Sequence, residues 1–255
     1  MGNFVTQTSS SELRACPEKR IICALDVDTV ARAGELVQLL KEHVGVFKVG
    51  LELLTSAGSD VIAQLRMQGA DHIFYDAKLH DIPNTVAGAM RGVARLGVWC
   101  VTVHVTGGSA MLRAAVEAAA SEAEKTGLPR TKVLAVTVLT SISESMLHNE
   151  LKVSLPVNEY VPHLARIAYE AGCDGVIGSP QEIQSIRRAV PASDFLIITP
   201  GVRPAGSDRG DQARVSTPEQ AVRDGADYVV IGRPIVAAPD PVVAAQEITE
   251  QIRLA

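Results

Sequence analysis

His72-Ile73-Phe74-Tyr75-Asp76-Ala77-Lys78-Leu79-His80-Asp81-Ile82-Pro83-Asn84-Thr85 begins as an aromatic, β-branched run and ends in charge, proline and threonine. The first part predicts a buried strand, the rest its carboxyl end and the start of a helix. Residues two apart on a strand project to the same face, so Asp76 and Lys78 are expected to point together. Charges of this kind are costly to bury unless they pair. A chain that holds a carboxylate and an ammonium side by side at a strand end usually does chemistry with them.

The same alternation of strand and helix signals extends in both directions. Candidate strands cover residues 21–26, 45–50, 72–77, 98–105, 132–139, 175–178, 195–199 and 228–232. Helix-periodic segments follow at 29–43, 51–68, 82–96, 108–125, 158–171, 180–190, 217–224 and 239–252. Pro218 and Pro239 stand near helix starts, while Gly69, Gly97, Gly127 and Gly172 stand just past helix ends. Eight strand–helix units in 255 residues predict an α/β fold, a single-domain (β/α)8 TIM barrel. An open, doubly wound sheet is the alternative. Its usual GxGxxG fingerprint is missing from the first turn, Ala24-Leu25-Asp26-Val27-Asp28. Residues 1–19 read as a loosely held extension and 20–255 as the barrel.

Composition narrows the class. Hydrophobic residues make up 47% but aromatics only 4%, so the core must be built from Val, Ile, Leu and Ala, as in parallel sheets covered by helices. A net charge of −5 argues against nucleic-acid or membrane-surface partners and requires a local cationic pocket for any anionic ligand. Cys16, Cys23, Cys100 and Cys173 form no CxxC pair and no metal spacing, which suits reduced thiols in a cytoplasmic protein. No apolar run is long enough to span a bilayer, and residues 6–11 are too polar for a secretory signal. Met1-Gly2-Asn3-Phe4-Val5-Thr6 matches an N-myristoylation pattern formally, but so short a match is common by chance.

The predicted strand ends carry Asp26, Lys48, Asp76 with Lys78, Arg203 and Arg233. In a barrel all of these share the carboxyl rim, where active sites are built. Any one alone is an ordinary solvated charge; six at the ends of five strands read as a site. Asp26 and Lys48 suit vicinal sugar hydroxyls, one accepting and one donating. Ile231-Gly232-Arg233-Pro234 follows the last strand, where a glycine permits close approach and an arginine can grip phosphate through paired hydrogen bonds. Arg203 and Gln212, in the long connection 200–216, are further donors. Thr137-Val138-Leu139-Thr140-Ser141 ends strand five with groups suited to an amide-like ring edge, and the connection 140–156 is also long. His104 reads as a supporting residue more readily than a catalytic one. No histidine pattern suggests a metal triad, and neither a Ser-His-Asp arrangement nor a Walker loop is present.

With these residues in place, the sequence resembles the orotidine 5′-monophosphate decarboxylase family in its free-standing bacterial form. The resemblance runs from Ile21 to the last helix on five motifs: Ala24-Leu25-Asp26, Phe47-Lys48-Val49-Gly50, Asp76-x-Lys78-x-x-Asp81-Ile82-Pro83-Asn84-Thr85, Thr199-Pro200-Gly201-Val202-Arg203 and Ile231-Gly232-Arg233. It implies cofactor-independent decarboxylation of orotidine 5′-monophosphate to UMP and CO2, the last step of de novo UMP synthesis, without metal. Lys78 would donate the proton to C6 of the pyrimidine, Asp76 would lie near the substrate carboxylate, and Lys48 would complete the charge network. Asp26 and Lys48 would hold the ribose and Thr140 the pyrimidine. Pro200, Arg203, Gln212, Gly232 and Arg233 would contact substrate, the last three at its phosphate, under a closing loop 203–216. Asp81, Ile82 and Thr85 would enter the site of a second subunit, making the enzyme a homodimer. The alternative is a Mg²⁺-dependent sugar-phosphate decarboxylase or aldolase on the same barrel, sharing the Asp-x-Lys-x-x-Asp core. Residues 1–19 lie outside the resemblance.

Overall fold

The computed structural model describes residues 15–204 and 216–255. Eight parallel strands close in sequence order into a barrel: β1 Ile21–Ala24, β2 Val46–Val49, β3 Ile73–Leu79, β4 Cys100–His104, β5 Lys132–Val136, β6 Gly175–Ile177, β7 Leu196–Thr199 and β8 Tyr228–Ile231. β1 pairs with both β2 and β8, so no edge remains. All eight predicted strands are present, most of them shorter than read, because the barrel ladder stops where the loops begin.

Strand alternation divides the apolar residues into two cores. Ile22, Val46, Phe74, Cys100, Leu134, Ile198 and Val230 fill the barrel interior. Their chain neighbours, among them Ile21, Cys23, Ile73, Val101 and Ile197, pack outward beneath the helices. A parallel strand is thus apolar on both faces, as the continuous Val/Ile runs require. At the amino end Trp99 and Tyr228 meet edge to face, ring centroids 5.1 Å apart, and close the interior. The Arg20 guanidinium donates to the Asp227 and Ala226 carbonyls across the same end. Gly45 packs there against the Lys19 carbonyl so closely that a Cβ would lie 2.0 Å from its oxygen.

Helices cover the barrel: Val30–Leu40, Pro83–Arg95, Gly108–Thr126, Val157–Glu170 and Pro241–Arg253 are the longer ones. Four local readings need correction. Segment 51–68 is two helices, Leu51–Ala57 and Val61–Met67, because Gly58 adopts a left-handed φ of 69° between them. The start of 180–190 is a short 3-10 turn, Pro180–Glu182. The connection 140–156 contains a short helix, Glu144–Asn149, capped by the Ser143 hydroxyl. An extra turn, Arg233–Val236, follows β8 directly.

The third strand differs most from expectation. It extends beyond 77 to Leu79, with Lys78 inside it at φ 50°. Phe74 and Tyr75 pair with Cys100 and Val101, but the next pair is Leu79 with Val103. Four steps along β3 therefore face two along β4, and the surplus backbone forms a bulge. Asp76 and Lys78 do point together, as expected, but across this bulge rather than along a regular ladder.

Candidate active site

The inward-facing positions change from apolar to polar at one level of the barrel. Two residues beyond Ala24, Val46, Phe74 and Cys100 come Asp26, Lys48, Asp76 and Thr102. The strand period that buries the apolar side chains thus carries the charges onto the mouth of the same interior. There a cavity of about 540 Å³ opens on an apolar floor of Ala24, Phe74, Val136, Ile177 and Val230. That volume suits a small-molecule ligand. Asp26, Lys48, Asp76, Lys78, Arg203 and Arg233 all line it, as do Glu52, Thr140, Pro200 and Gly232.

At its centre the charges alternate. The Lys78 ammonium donates to both Asp76 oxygens at 2.9 Å. Lys48 Nζ lies 2.9 Å from Asp26 Oδ1 and 3.5 Å from Asp76 Oδ2. The Thr102 hydroxyl donates to Asp76 Oδ1 at 2.9 Å. Burial alone would push the Lys48 ammonium toward neutrality; Asp76 and Asp26 outweigh it and hold its pKa above the ordinary lysine value. Burial likewise opposes ionisation of Asp76, yet Lys48 and Lys78, with hydrogen bonds from Lys78 and Thr102, hold its carboxyl below the usual range. Both groups therefore stay charged although buried, where fixed charges act more strongly than in water.

Glycines leave room around this cluster. A Cβ on Gly50 would sit 2.7 Å from Lys48 Nζ and 3.2 Å from Asp26 Oδ1, so any side chain there displaces the ammonium. A Cβ on Gly232 would meet that of Ala24 at 3.4 Å. Gly201, at φ 78°, turns the chain from β7 along the cavity wall. The base of the seventh connection is pinned by a bridge between Val202 and Ser216, with the Arg203 amide donating to the Ser216 carbonyl at 2.9 Å. Gln212 lies outside the described residues.

The remaining expectations separate. Val138, Leu139 and Thr140 line the cavity, whereas the Thr137 hydroxyl is spent on the Ile177 carbonyl at 3.0 Å. His104 does not line the cavity. Its ring packs on His80, centroids 5.3 Å apart, and burial, with His80 and Lys78, keeps its pKa below the ordinary histidine value. Asp81, Ile82 and Thr85 are exposed and do not line their own chain's cavity. Asp81 accepts from the Ile82 amide at 2.6 Å, and Ile82 leaves 68% of its surface open beside the rim. Cys23 and Cys100 are buried and Cys16 exposed, all as free thiols; burial, then nearby Asp26, pushes the Cys23 thiol up to about 12. Among the described residues, no helix is long and apolar enough to cross a membrane. No group of three or more His, Cys, Asp or Glu side chains among them could hold a metal ion.

Two residues of the central cluster escape a reading of charge pattern. Thr102 carries no charge and lies 24 positions beyond Lys78, so only the strand register brings them together. Gly50 acts by the side chain it lacks; its place in the motif Phe47-Lys48-Val49-Gly50 was the available signal.

Comparison with known proteins is consistent along nearly the whole chain. The model of the Orotidine 5'-phosphate decarboxylase / HUMPS family matches residues 19–248. The orotidine 5'-phosphate decarboxylase of Moorella thermoacetica is 50% identical over 242 residues, 95% of either chain. That of Geotalea daltonii is 49% identical over 91% of this chain and 95% of its own. The crystal structure of orotidine 5'-phosphate decarboxylase from Lactobacillus acidophilus superposes with a TM-score of 0.80 at 40% identity, covering 91% of this chain and 98% of that one.

Proposed function

Because the chain belongs to the Orotidine 5'-phosphate decarboxylase / HUMPS family, we propose that its barrel mouth decarboxylates orotidine 5'-monophosphate to UMP and CO2, the closing step of pyrimidine nucleotide synthesis. The observation that carries this reading is the Lys48–Asp76–Lys78 array with Asp26, built on the buried Lys48 and Asp76. Loss of CO2 from C6 leaves an electron pair on a ring carbon with no adjacent sink, and most decarboxylases borrow one from a cofactor. Fixed charge is the other route. Asp76 faces the departing carboxylate and repels it, while Lys78 favours the carbanion and then delivers a proton to C6. Lys48 and Asp26 keep the array charged; the Lys48 ammonium donates to the ribose hydroxyls and the Asp26 carboxylate accepts from them. Thr140 contacts the pyrimidine, Pro200 and Arg203 contact the substrate, and Gln212, Gly232 and Arg233 hold its phosphate. No cofactor is required by this scheme.

The sugar-phosphate alternative asks Asp76 to help bind Mg²⁺. Both Asp76 oxygens already accept from ammonium groups, and Oδ1 also accepts from Thr102. A cation would have to displace two paired lysines, so the geometry favours the nucleotide reaction. The test is purified protein with orotidine 5'-monophosphate and EDTA, followed by pyrimidine absorbance. Undiminished conversion to UMP is expected; intact substrate, or conversion that EDTA stops, overturns the assignment.

The protein is further proposed to be a cytoplasmic homodimer in which Asp81, Ile82 and Thr85 complete the neighbour's site. The exposed apolar Ile82 beside an aspartate that its own cavity does not use supports this. Mixing inactive Lys78→Ala and Asp81→Asn proteins under exchange conditions should then restore about a quarter of wild-type activity, since half the dimers are mixed and each regains one intact site. A mixture as inactive as its components would sink the shared site. The proposed domain is residues 20–255, and 1–19 supply no site residue.

A further inference from the structure

The surplus backbone of β3 has to be held by something. Between the pairs Tyr75–Val101 and Leu79–Val103, the one β4 residue left over is Thr102, which is fully buried. Its hydroxyl accepts from the Lys78 amide at 2.9 Å and donates to Asp76 Oδ1 at 2.9 Å. A single Oγ thus takes the place of the missing ladder bonds. It fixes Lys78 where the chain adopts a left-handed φ of 50°, a conformation that side-chain-bearing residues rarely adopt. It also fixes the rotation of the Asp76 carboxylate, both of whose oxygens then face the Lys78 ammonium.

We propose that Thr102 is a positioning residue for the decarboxylation, holding the acid–carboxylate pair Asp76–Lys78 in register through its hydroxyl. Thr102 does not line the cavity and acts only through those two residues. The inference rests on the reaction proposed above and adds to it the group that sets the pair's geometry. A strained backbone at a functional residue persists only where its surroundings over-determine it, and here the determinant is one hydrogen-bonded oxygen. Valine keeps the β-branched shape and volume but neither accepts from the Lys78 amide nor donates to Asp76. A buried amide is then left unpaired, and the bulge relaxes toward another backbone setting.

Thr102→Val, Thr102→Ser and Thr102→Ala are compared with wild type in steady-state decarboxylation, thermal unfolding and UMP binding. The Val variant should lose roughly 10- to 100-fold in kcat, the scale of a small misplacement of reacting groups, with KM and UMP affinity within about threefold, since uniform binding is untouched. The Ser variant should recover kcat to within a few-fold. Because the Thr102 hydroxyl favours ionised Asp76, the acid limb of the kcat profile should also move to higher pH in the Val variant and return in Ser. Packing alone would move neither the acid limb nor the Ser-against-Val difference. If Val does not fold, Ser against Ala, which differ by the hydroxyl, decides the same question. Wild-type kcat in a folded Val variant, or equal losses in Ser and Ala, overturns the inference. Wild-type protein that fails to convert the nucleotide overturns the proposed reaction instead, which separates the two failures.

Discussion

Lys78→Ala is expected to lower kcat for orotidine 5'-monophosphate by about 10⁴-fold or more while the protein stays folded and binds UMP. The general acid accounts for roughly 10²–10⁴ of such a loss and stabilisation of developing charge for about 10²–10³. Both act from one nitrogen, so the two are not independent and their product is an upper bound. The fold should survive for three reasons. The Lys78 side chain is 30% exposed, so its removal leaves no sealed cavity. Asp76 keeps Lys48 at 3.5 Å and the Thr102 hydroxyl at 2.9 Å, so the buried carboxylate is not orphaned. Alanine at φ 50° pays the same backbone penalty as lysine there. Single-turnover absorbance with enzyme in excess reads the chemical step, and thermal unfolding with UMP titration reads fold and binding. Turnover within tenfold of wild type would remove Lys78 as the acid and leave Lys48 as the nearest other ammonium.

What the sequence disclosed, and what it did not, follows from range. Alternation along each strand is local, so the eight strands and the rim charges Asp26, Lys48, Asp76, Arg203 and Arg233 could be read directly. The Gly58 break between Leu51–Ala57 and Val61–Met67 is local too, but helical periodicity on both sides masked it. The β3 bulge could not be read at all, because it exists only relative to β4: nothing in Tyr75-Asp76-Ala77-Lys78-Leu79 says that four steps will face two. Thr102 shares that fate, its partners being set by register. Gln212 falls in the stretch outside the described residues, and the proposed role of Asp81, Ile82 and Thr85 depends on a second chain, which strand and helix patterns do not report. Local pattern thus supplied the charges, and tertiary register supplied the reason they meet.

Arg233→Ala is expected to raise KM for orotidine 5'-monophosphate by about 10²–10³-fold, the loss of a charge-assisted, bidentate phosphate contact. Arg233 begins the turn after β8, exposed at the cavity wall beside Gly232. The cavity also carries Arg203 on the connection after β7, and barrels commonly bind phosphate between these two loops. The phosphate is remote from C6, so its binding energy serves to hold the substrate against the charged array. Part of the loss should therefore appear in kcat, less than in KM. The decisive comparison uses orotidine, the same substrate without its phosphate. Wild type and Arg233→Ala should process the nucleoside equally slowly, because the contact that distinguishes them has no partner. The effect on the nucleotide should also shrink as ionic strength rises, since an exposed guanidinium is screened. An Arg233→Ala enzyme that loses as much on orotidine as on the nucleotide would place Arg233 at the ribose or pyrimidine, and the phosphate clamp would have to be sought at Arg203.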